Sequence, residues 1–98
     1  MPRISAETIK SAIDPESFYR AALTWRGKPS AKGWILAVCP FHADTDPSLA
    51  VNLHNGGFRC FGCGEKGDLI SFHAKLNRLS FRDAIDDLAR RYLLTLEN

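Results

Sequence analysis

The sequence predicts an α+β domain in which a small antiparallel sheet is flanked by N-terminal and C-terminal helices. Segments with helical periodicity occupy both ends of the 98-residue chain, and a segment with strand-like alternation lies between them. Two short Cys/His motifs bracket this central segment. We therefore expect one domain over 1–98, with helices over about 5–24, a metal-bound ribbon over about 34–66 and helices over about 68–94.

Two short helices are predicted before the sheet, over 5–13 and 14–24. Ser5 and Asp14 are suitable N-caps, because their side-chain oxygens can accept hydrogen bonds from the free backbone N–H groups of the first turn. Pro15 follows at the first helical position, where its fixed φ favours the helix. Two glycines and a proline predict a loop over 26–33.

The first two strands are predicted from apolar patterns. A continuous apolar run over 34–38 leads into the first Cys/His motif. Further along, Leu49, Val51 and Leu53 alternate with Ala50, Asn52 and His54, which predicts a strand with one buried face.

A hairpin is predicted after the second strand. Asn55-Gly56 is a strong turn signal between two strands. On the return strand, we expect Phe58 and Cys60 on one face and Arg59 and Phe61 on the other, since side chains alternate along a strand.

Two ligand pairs point to a metal. Cys39 and His42 are separated by two residues, as are Cys60 and Cys63, and this paired spacing suits one tetrahedral zinc ion. The hairpin lies between the pairs, which is the order of a zinc ribbon and differs from the strand–strand–helix order of a DNA-reading zinc finger. Four protein ligands leave no open position for a catalytic water, so we expect one structural Zn²⁺.

Cysteine usage indicates the compartment. All three cysteines fall in the ligand pairs, and an odd number argues against a disulfide framework. Thiolate ligands need a reducing environment, and the sequence shows neither a signal peptide nor an apolar stretch long enough to cross a bilayer. We expect a cytoplasmic protein with no membrane partner.

The C-terminal region is predicted to be helical. Asp68 can cap a helix, and Ser80 with Asp83 resembles a capping box. Apolar residues recur at spacings of three and four in both helices, which is typical of packing against a core. The two stripes consist of Leu69, Phe72, His73 and Leu76, and of Phe81, Ala84, Ile85, Leu88, Ala89, Tyr92 and Leu93.

Basic residues are concentrated in one part of the chain. The formal net charge is only +2, but the stretch 17–43 contains no acid and carries Arg20, Arg26, Lys28 and Lys32. A localised basic segment is a candidate phosphate contact, and it is equally compatible with a solvated loop.

Several motifs carry a family resemblance. C-P-F-H, D-P-S-L-A-V, F-R-C-F-G-C-G-E-K-G-D-L-I-S-F and L-S-F-R-D-A-I-D-D-L-A-R-R-Y resemble the zinc-binding N-terminal domain of bacterial-type (DnaG-like) DNA primases, or a small stand-alone homologue from a mobile element. The resemblance implies an antiparallel sheet with flanking helices. It also implies a domain that binds single-stranded template and helps choose where primers start, beside a separate catalytic core on the same or another chain.

Two functions follow as hypotheses. The first is a template-binding module for primer synthesis in DNA replication, which uses exposed aromatic and basic side chains as a stacking platform. The candidate residues are Arg59, Phe61, Trp34, Lys28, Lys32 and Arg26. The alternative is a zinc-ribbon adaptor that docks a replication or transcription enzyme, which an exposed apolar patch would favour.

We expect no catalysis by the chain itself. Two-metal phosphoryl transfer needs clustered carboxylates, and nucleotide binding commonly uses a phosphate-cradling glycine loop. The sequence offers neither pattern.

Overall fold

The computed structural model describes residues 5–41 and 47–93. The predicted ligand His42 and the last residue of the predicted C-terminal helices lie outside these ranges.

Two short helices precede the sheet, as the sequence predicts. Helix α1 spans Ala6–Ala12 and α2 spans Pro15–Ala22. The Ser5 hydroxyl accepts a hydrogen bond of 3.2 Å from the Thr8 N–H, and the Asp14 carboxylate accepts one of 3.1 Å from the Ser17 N–H. Both caps therefore satisfy donors that the first helical turn leaves free.

Among the described residues, four antiparallel strands form one sheet in sequential order. They are β1 (Trp34–Ala37), β2 (Leu49–Asn52), β3 (Phe58–Cys60) and β4 (Lys66–Gly67). Because each strand pairs with its neighbour in the chain, β1 and β4 are the edge strands.

The C-terminal helices begin directly after β4. Helix α3 spans Leu69–Asn77 and α4 spans Phe81–Leu88, followed by a π-helical segment over Ala89–Leu93. Asp68 and Ser80 cap them, accepting hydrogen bonds from the Ser71 and Asp83 N–H groups at 2.9 and 3.0 Å.

The strand register defines two faces of the sheet. Leu36, Ala50, Arg59 and Lys66 are aligned across the four strands, so they share one face, which we call the outer face. The opposite, inner face packs on the helices. The outer face consists of Trp34, Leu36 and Val38 on and after β1, Ala50 on β2, Arg59 and Phe61 on and after β3, and Lys66 on β4.

The second strand departs from the prediction. Its outward side chains are also buried, with Ala50 8% and Asn52 3% exposed. Ala50 is small and lies between two flanking strands. The Asn52 amide donates a 3.0 Å hydrogen bond to the Lys32 carbonyl, so the loop before β1 covers it. A central strand is thus enclosed on both faces although its sequence alternates.

The hairpin connection is longer than a two-residue turn. The loop covers 53–57, and the Asn52 carboxamide oxygen accepts hydrogen bonds from the His54 and Asn55 N–H groups at 2.8 and 2.9 Å. Asn55 in turn accepts from the Gly57 N–H at 2.8 Å. Side-chain acceptors therefore supplement the backbone hydrogen bonds of this loop, which include one of 2.7 Å from the Asn52 N–H to the Gly57 carbonyl.

The core is rich in aromatic rings. Phe72 is fully buried and packs edge-to-face on Tyr19 at 5.0 Å and on Phe58 at 5.4 Å between ring centroids. Phe18 adds a similar contact at 6.0 Å. These rings join α2, β3 and α3, so the inner face of the sheet is fixed against both helical regions.

The predicted apolar stripes extend beyond the core at their ends. Leu76 in the last turn of α3 is 38% exposed and Phe81 at the start of α4 is 47% exposed. Ile70, outside the predicted stripe, is fully buried. Helix α3 leaves the sheet directly, so its first turns face the core and its last turn projects past it.

Candidate metal centre and nucleic-acid interface

Three cysteines converge at one end of the sheet. Cys39 follows β1, Cys60 ends β3, and Cys63 lies in the turn after it. Their Sγ atoms all lie within 4.8 Å of one another. Cys39 and Cys60 are buried, whereas Cys63 is exposed. Three sulfur donors this close together fit zinc, which thiolates bind preferentially.

The backbone around Cys39 and Cys60 turns N–H groups toward sulfur. The Phe41 N–H donates to Cys39 Sγ at 3.4 Å, and the Cys63 N–H donates to Cys60 Sγ at 3.5 Å. The Ser48 hydroxyl lies 3.6 Å from Cys60 Sγ, within hydrogen-bonding distance for sulfur. Such donors stabilise the thiolate form that binds a metal.

The surroundings of the two buried thiols shift their pKa values in opposite directions. Burial opposes ionisation of Cys60, but hydrogen bonds from the Cys63 N–H, Ser48 and the neighbouring thiols outweigh it and lower its pKa to about 6. Burial raises the pKa of Cys39 to about 12, and the nearby Cys60 and Cys63 add to the rise although the Phe41 N–H opposes it. Metal binding therefore requires release of protons from this cluster.

Phe41 connects the first ligand turn to the core. Its ring lies 5.1 Å from Phe72 and 5.9 Å from Phe58, measured between centroids. The Lys75 ammonium lies 5.6 Å from its ring centre. Phe41, one of the two residues between the predicted ligands Cys39 and His42, is thus held in place by packing on the core.

The other two histidines have separate environments. His54 is exposed and its ring packs on Gly33. His73 is buried, with Nε2 at 2.6 Å from the Asp87 carboxylate and Nδ1 at 3.3 Å from the Asn77 amide. Within the part of the chain that the structure describes, the metal-type cluster contains cysteines alone.

The residues predicted to bind nucleic acid fall into two groups on the surface. The Arg59 guanidinium stacks over the Phe61 ring at 5.3 Å, and Phe61 is 66% exposed. At the opposite edge, Arg26 and Lys28 line a groove together with Trp34, which is 40% exposed. Lys32 is exposed in the preceding loop.

The two groups lie at opposite corners of the outer face. Trp34 pairs with Asn52, at the hairpin end of the sheet. The Phe61 N–H donates to the Ser48 carbonyl, which places Phe61 at the cysteine end. Strand spacing puts the two rings about 10 Å apart across the sheet and about 13 Å apart along it. The structure therefore forms two aromatic–basic corners on one face.

Sequence reasoning missed three residues of this face. Lys66 pairs with Arg59 in the strand register, and Leu36 and Val38 are 51% and 43% exposed beside Trp34. The signal for the last two was available, since a period of two within the apolar run 34–38 places positions 34, 36 and 38 on one face. No comparable signal marked the two-residue strand that carries Lys66.

Across residues 5–41 and 47–93, none of the helices has the length and apolar character needed to span a membrane.

Comparisons with known proteins agree on the family. The family model of the CHC2 zinc finger matches residues 6–98. The DNA primase of Streptomyces coelicolor is 36% identical over 95 residues, which cover 96% of this chain and 15% of that protein. The DNA primase of Helicobacter pylori is 44% identical over 62 residues, covering 63% of this chain and 11% of that protein.

A solved structure shows the same fold. The crystal structure of the zinc-binding and RNA polymerase domains of Aquifex aeolicus primase superposes with a TM-score of 0.75 at 31% identity. The match covers 91% of this chain and 22% of that one, so the chain spans only a small part of these relatives. The chain belongs to the CHC2 zinc finger family, the zinc-binding domain type of DnaG-like DNA primases, and its metal is a structural zinc ion.

Proposed function

We propose that this domain binds single-stranded DNA template through its outer face and supports primer synthesis by a primase catalytic core on the same or a separate chain. The observation that carries the proposal is the exposed Arg59–Phe61 pair, with Lys66 beside it, on a domain of the primase zinc finger family.

The outer face has the chemistry that a single strand requires. Phe61 offers an exposed ring on which a base can stack, a contact worth about 1–3 kcal/mol in single-strand binding proteins. Arg59 and Lys66 supply positive charge for the backbone. Ala50 lies between the strands that carry Leu36 and Arg59, and because its side chain is small it does not project between the two aromatic corners.

The basic loop extends this surface. Arg26 and Lys28 line a groove together with Trp34, and Lys32 is exposed in the same loop, which leads into β1. A strand that runs from Phe61 to Trp34 would cover about 10 Å across the sheet and about 13 Å along it, a span of a few nucleotides. We infer that the loop contacts phosphates at the second corner.

Zinc has a structural role in this proposal. Cys39, Cys60 and Cys63, with His42 as the fourth ligand, hold the ends of β1 and β3 together. The metal supplies folding free energy and so keeps Arg59 and Phe61 on one rigid face. The chain's contribution to replication is then template binding, with phosphoryl transfer supplied by the catalytic core.

The benefit to the core comes from proximity. A weakly bound template that is tethered beside the active site reaches a high effective concentration there. We expect affinity of the isolated domain on the order of non-specific binding, about 10⁻⁴ M or weaker at physiological salt.

The test is a low-salt titration of labelled single-stranded DNA, repeated at several salt concentrations. Arg59→Ala should weaken binding and make the slope of log K against log[salt] shallower by about 0.7, because one phosphate contact is lost. Phe61→Ala should weaken binding with an unchanged slope, since stacking involves no counterion release. Lys28→Ala/Lys32→Ala should reduce the slope again.

Arg90→Ala is the charge-matched control, because Arg90 is exposed on the C-terminal segment and pairs with Asp87. Equal affinities for wild type, Arg59→Ala, Phe61→Ala and Arg90→Ala would remove the outer face from consideration. A second assay supplies ribonucleotides, magnesium and template to the zinc-loaded chain alone and then adds a primase core. Primers made by the chain alone would contradict the division of labour proposed here.

The adaptor function keeps a specific observation in its favour. Trp34, Leu36 and Val38 form an exposed apolar stripe along β1, at 40%, 51% and 43% exposure. Contiguous apolar surface of this kind is typical of protein interaction sites. If adding the domain leaves the position and frequency of primers from the core unchanged, the adaptor function gains support.

A further inference from the structure

We propose that the open edge of β1 binds an extended peptide, acidic and with apolar residues at alternate positions, as a fifth strand of the sheet. This inference goes beyond template binding and gives the adaptor function a definite site and mode.

The hydrogen-bond pattern shows which backbone groups face the open edge. The Leu53 N–H donates to the Gly33 carbonyl at 2.7 Å. Because backbone groups alternate in direction along a strand, the N–H and C=O groups of the odd-numbered residues of β1 point toward β2. Trp34, Leu36 and Val38 therefore direct their N–H and C=O groups away from the sheet. Of these three residues, Trp34 alone has partners for these groups among the described residues. Its N–H donates to the Ser30 hydroxyl at 3.2 Å, and its carbonyl accepts from the Ser30 N–H at 2.9 Å.

Within the part of the chain that the structure describes, Leu36 and Val38 thus offer a short row of donors and acceptors without a partner. No hydrogen bond to their backbone edge occurs within residues 5–41 and 47–93. Natural proteins usually cover or charge such an edge, because it is a template for another strand. Here the side chains beside it are apolar, which favours pairing.

A groove runs along this edge. Its volume is about 930 Å³, and the chain segment after α2 forms its second wall. Trp25 on that wall packs partly on the core and is stacked by the Arg20 guanidinium at 5.0 Å, so the wall is supported. The remaining apolar lining comes from Ala22, Leu23, Pro40 and Pro47.

The charge of the groove selects the occupant. Arg26 and Lys28 line it, and within residues 5–41 and 47–93 no Asp or Glu is among its lining residues. An acidic segment is therefore attracted, and a basic one is disfavoured.

The shape and the backbone groups exclude two other occupants. The groove is bounded by β1 on one side and by the segment that contains Trp25 on the other, so an occupant must enter between two walls, whereas a second copy would have to bring a whole sheet edge into the groove. Nucleic acid provides phosphate acceptors for N–H groups but no regular row of donors for the Leu36 and Val38 carbonyls. Strand addition satisfies both, as in other peptide-binding sheet edges.

The test uses the zinc-loaded domain and an acetylated, amidated eight-residue peptide in which valine alternates with glutamate. Backbone amide shifts should saturate and map to Leu36, Val38 and Trp25. The same peptide with alternate backbone nitrogens methylated should bind at least about fivefold more weakly, because each lost hydrogen bond contributes about 1 kcal/mol. A valine–lysine peptide should not bind.

Two protein variants sharpen the result. Leu36→Pro removes the outward N–H and exchanges one apolar side chain for another, while the hydrogen bonds to β2 remain, since edge strands tolerate proline. It should weaken binding by a similar or larger factor while the fold is retained. Arg26→Glu/Lys28→Glu should reverse the preference toward the valine–lysine peptide. Arg59→Ala should leave peptide binding unchanged, so failure of this inference is distinguishable from failure of the DNA-binding proposal.

Three results would overturn the inference. They are an absence of saturable shifts with the acidic peptide, equal binding of its methylated form, or concentration-dependent dimerisation through β1 in the absence of peptide. The last would assign the edge to a second copy of the chain.

Discussion

The Tyr19 hydroxyl donates a hydrogen bond of 2.6 Å to the carbonyl oxygen of Gly56, which lies 37 positions further along the chain. Tyr19 is fully buried, and burial, followed by the nearby Asp68 carboxylate, raises the pKa of its phenol well above the ordinary value. The group is therefore a permanent neutral donor. It joins α2 to the hairpin loop and so fixes the end of the sheet remote from the cysteines.

Tyr19→Phe should lower the free energy of unfolding by about 1–3 kcal/mol, because it leaves the Gly56 carbonyl buried without its donor. Urea unfolding at saturating zinc measures the effect. Tyr92→Phe is the matched control, since Tyr92 is only partly buried, and a change within about 0.5 kcal/mol is expected there. Equal unfolding midpoints for the two variants would show that the Tyr19 hydroxyl contributes nothing.

Gly56→Ala should destabilise the fold more than Gly27→Ala. Both glycines have positive φ, 83° and 86°, so each alanine carries a backbone strain of about 1–2 kcal/mol. A Cβ at Gly56 would also lie 2.9 Å from the Leu69 side chain, whereas nothing lies within 4 Å of a Cβ at Gly27. Thermal unfolding of the zinc-loaded variants separates the two effects, and equal losses would show that Leu69 moves aside without cost.

Cys60→Ser should abolish zinc binding and unfold the ribbon. Zinc binding contributes on the order of 10–16 kcal/mol in small domains whose apo site is unformed. Metal analysis of reduced protein should give one zinc per wild-type chain and almost none for the variant, with loss of the folded circular dichroism spectrum. Wild-type protein purified under reducing conditions without zinc would contradict the assignment.

His42, the fourth ligand predicted from the sequence, has its own matched pair of variants. His42→Ala should weaken zinc affinity strongly if this prediction holds, because a neutral imidazole would then complete the tetrahedral set. His54→Ala should leave it unchanged, since that ring packs on Gly33 away from the cysteines. Competition with a chromogenic chelator reports both affinities, and equal values would exclude His42.

The contribution of Asp87 to stability should depend on pH. The hydrogen bond from His73 and, after it, the charge of Arg91 hold the pKa of the Asp87 carboxyl below its ordinary value of 3.8, although burial opposes them. Arg90 adds a third contact at 3.3 Å. Because the folded pKa lies below the unfolded one, the stabilisation is complete above the unfolded pKa and is lost as pH falls through the folded pKa.

Unfolding free energies of wild type and Asp87→Asn should therefore differ by about 1–3 kcal/mol near neutral pH and converge in acid. Asp86→Asn is the control, since Asp86 is half exposed and pairs only with Arg82 at 3.0 Å among the described contacts. The comparison is made at pH values at which all three proteins keep their zinc, because loss of zinc unfolds the ribbon, and the gap should narrow over this range as pH falls toward the unfolded pKa of the carboxyl. A constant gap between wild type and Asp87→Asn across the acid range would refute the linkage.

Helix caps and ligand pairs could be predicted from the sequence, because the residues that form each of them are close together in the chain. Ser5, Asp14, Asp68 and Ser80 are caps because a side-chain oxygen within three residues satisfies the first helical turn, and that relation is visible in sequence. The ligand pairs are likewise local, which is why Cys39, Cys60 and Cys63 could be grouped before the fold was known.

Tertiary causes were not predictable in this way. Asn52 is buried because a loop twenty residues earlier covers it through the Lys32 carbonyl, and His73 is paired because α4 brings Asp87 beside it. The exposure of Leu36 and Val38 depends on β1 being an edge strand, which the sequence order alone does not determine. These contacts link segments that are distant in the chain, so a periodic pattern within one segment cannot predict them.

The two ends of the sheet are closed by different means, and this should determine how the domain opens. At one end the closure is metal-dependent, through the cysteines that follow β1 and β3. At the other it is made by protein alone, through Tyr19 and Asn52. Chelation should therefore open the sheet in a fixed direction. Amides paired near Ser48 and Phe61 should lose exchange protection first, and those near Asn52 and Gly57 last, so that zinc supply sets the order as well as the extent of unfolding.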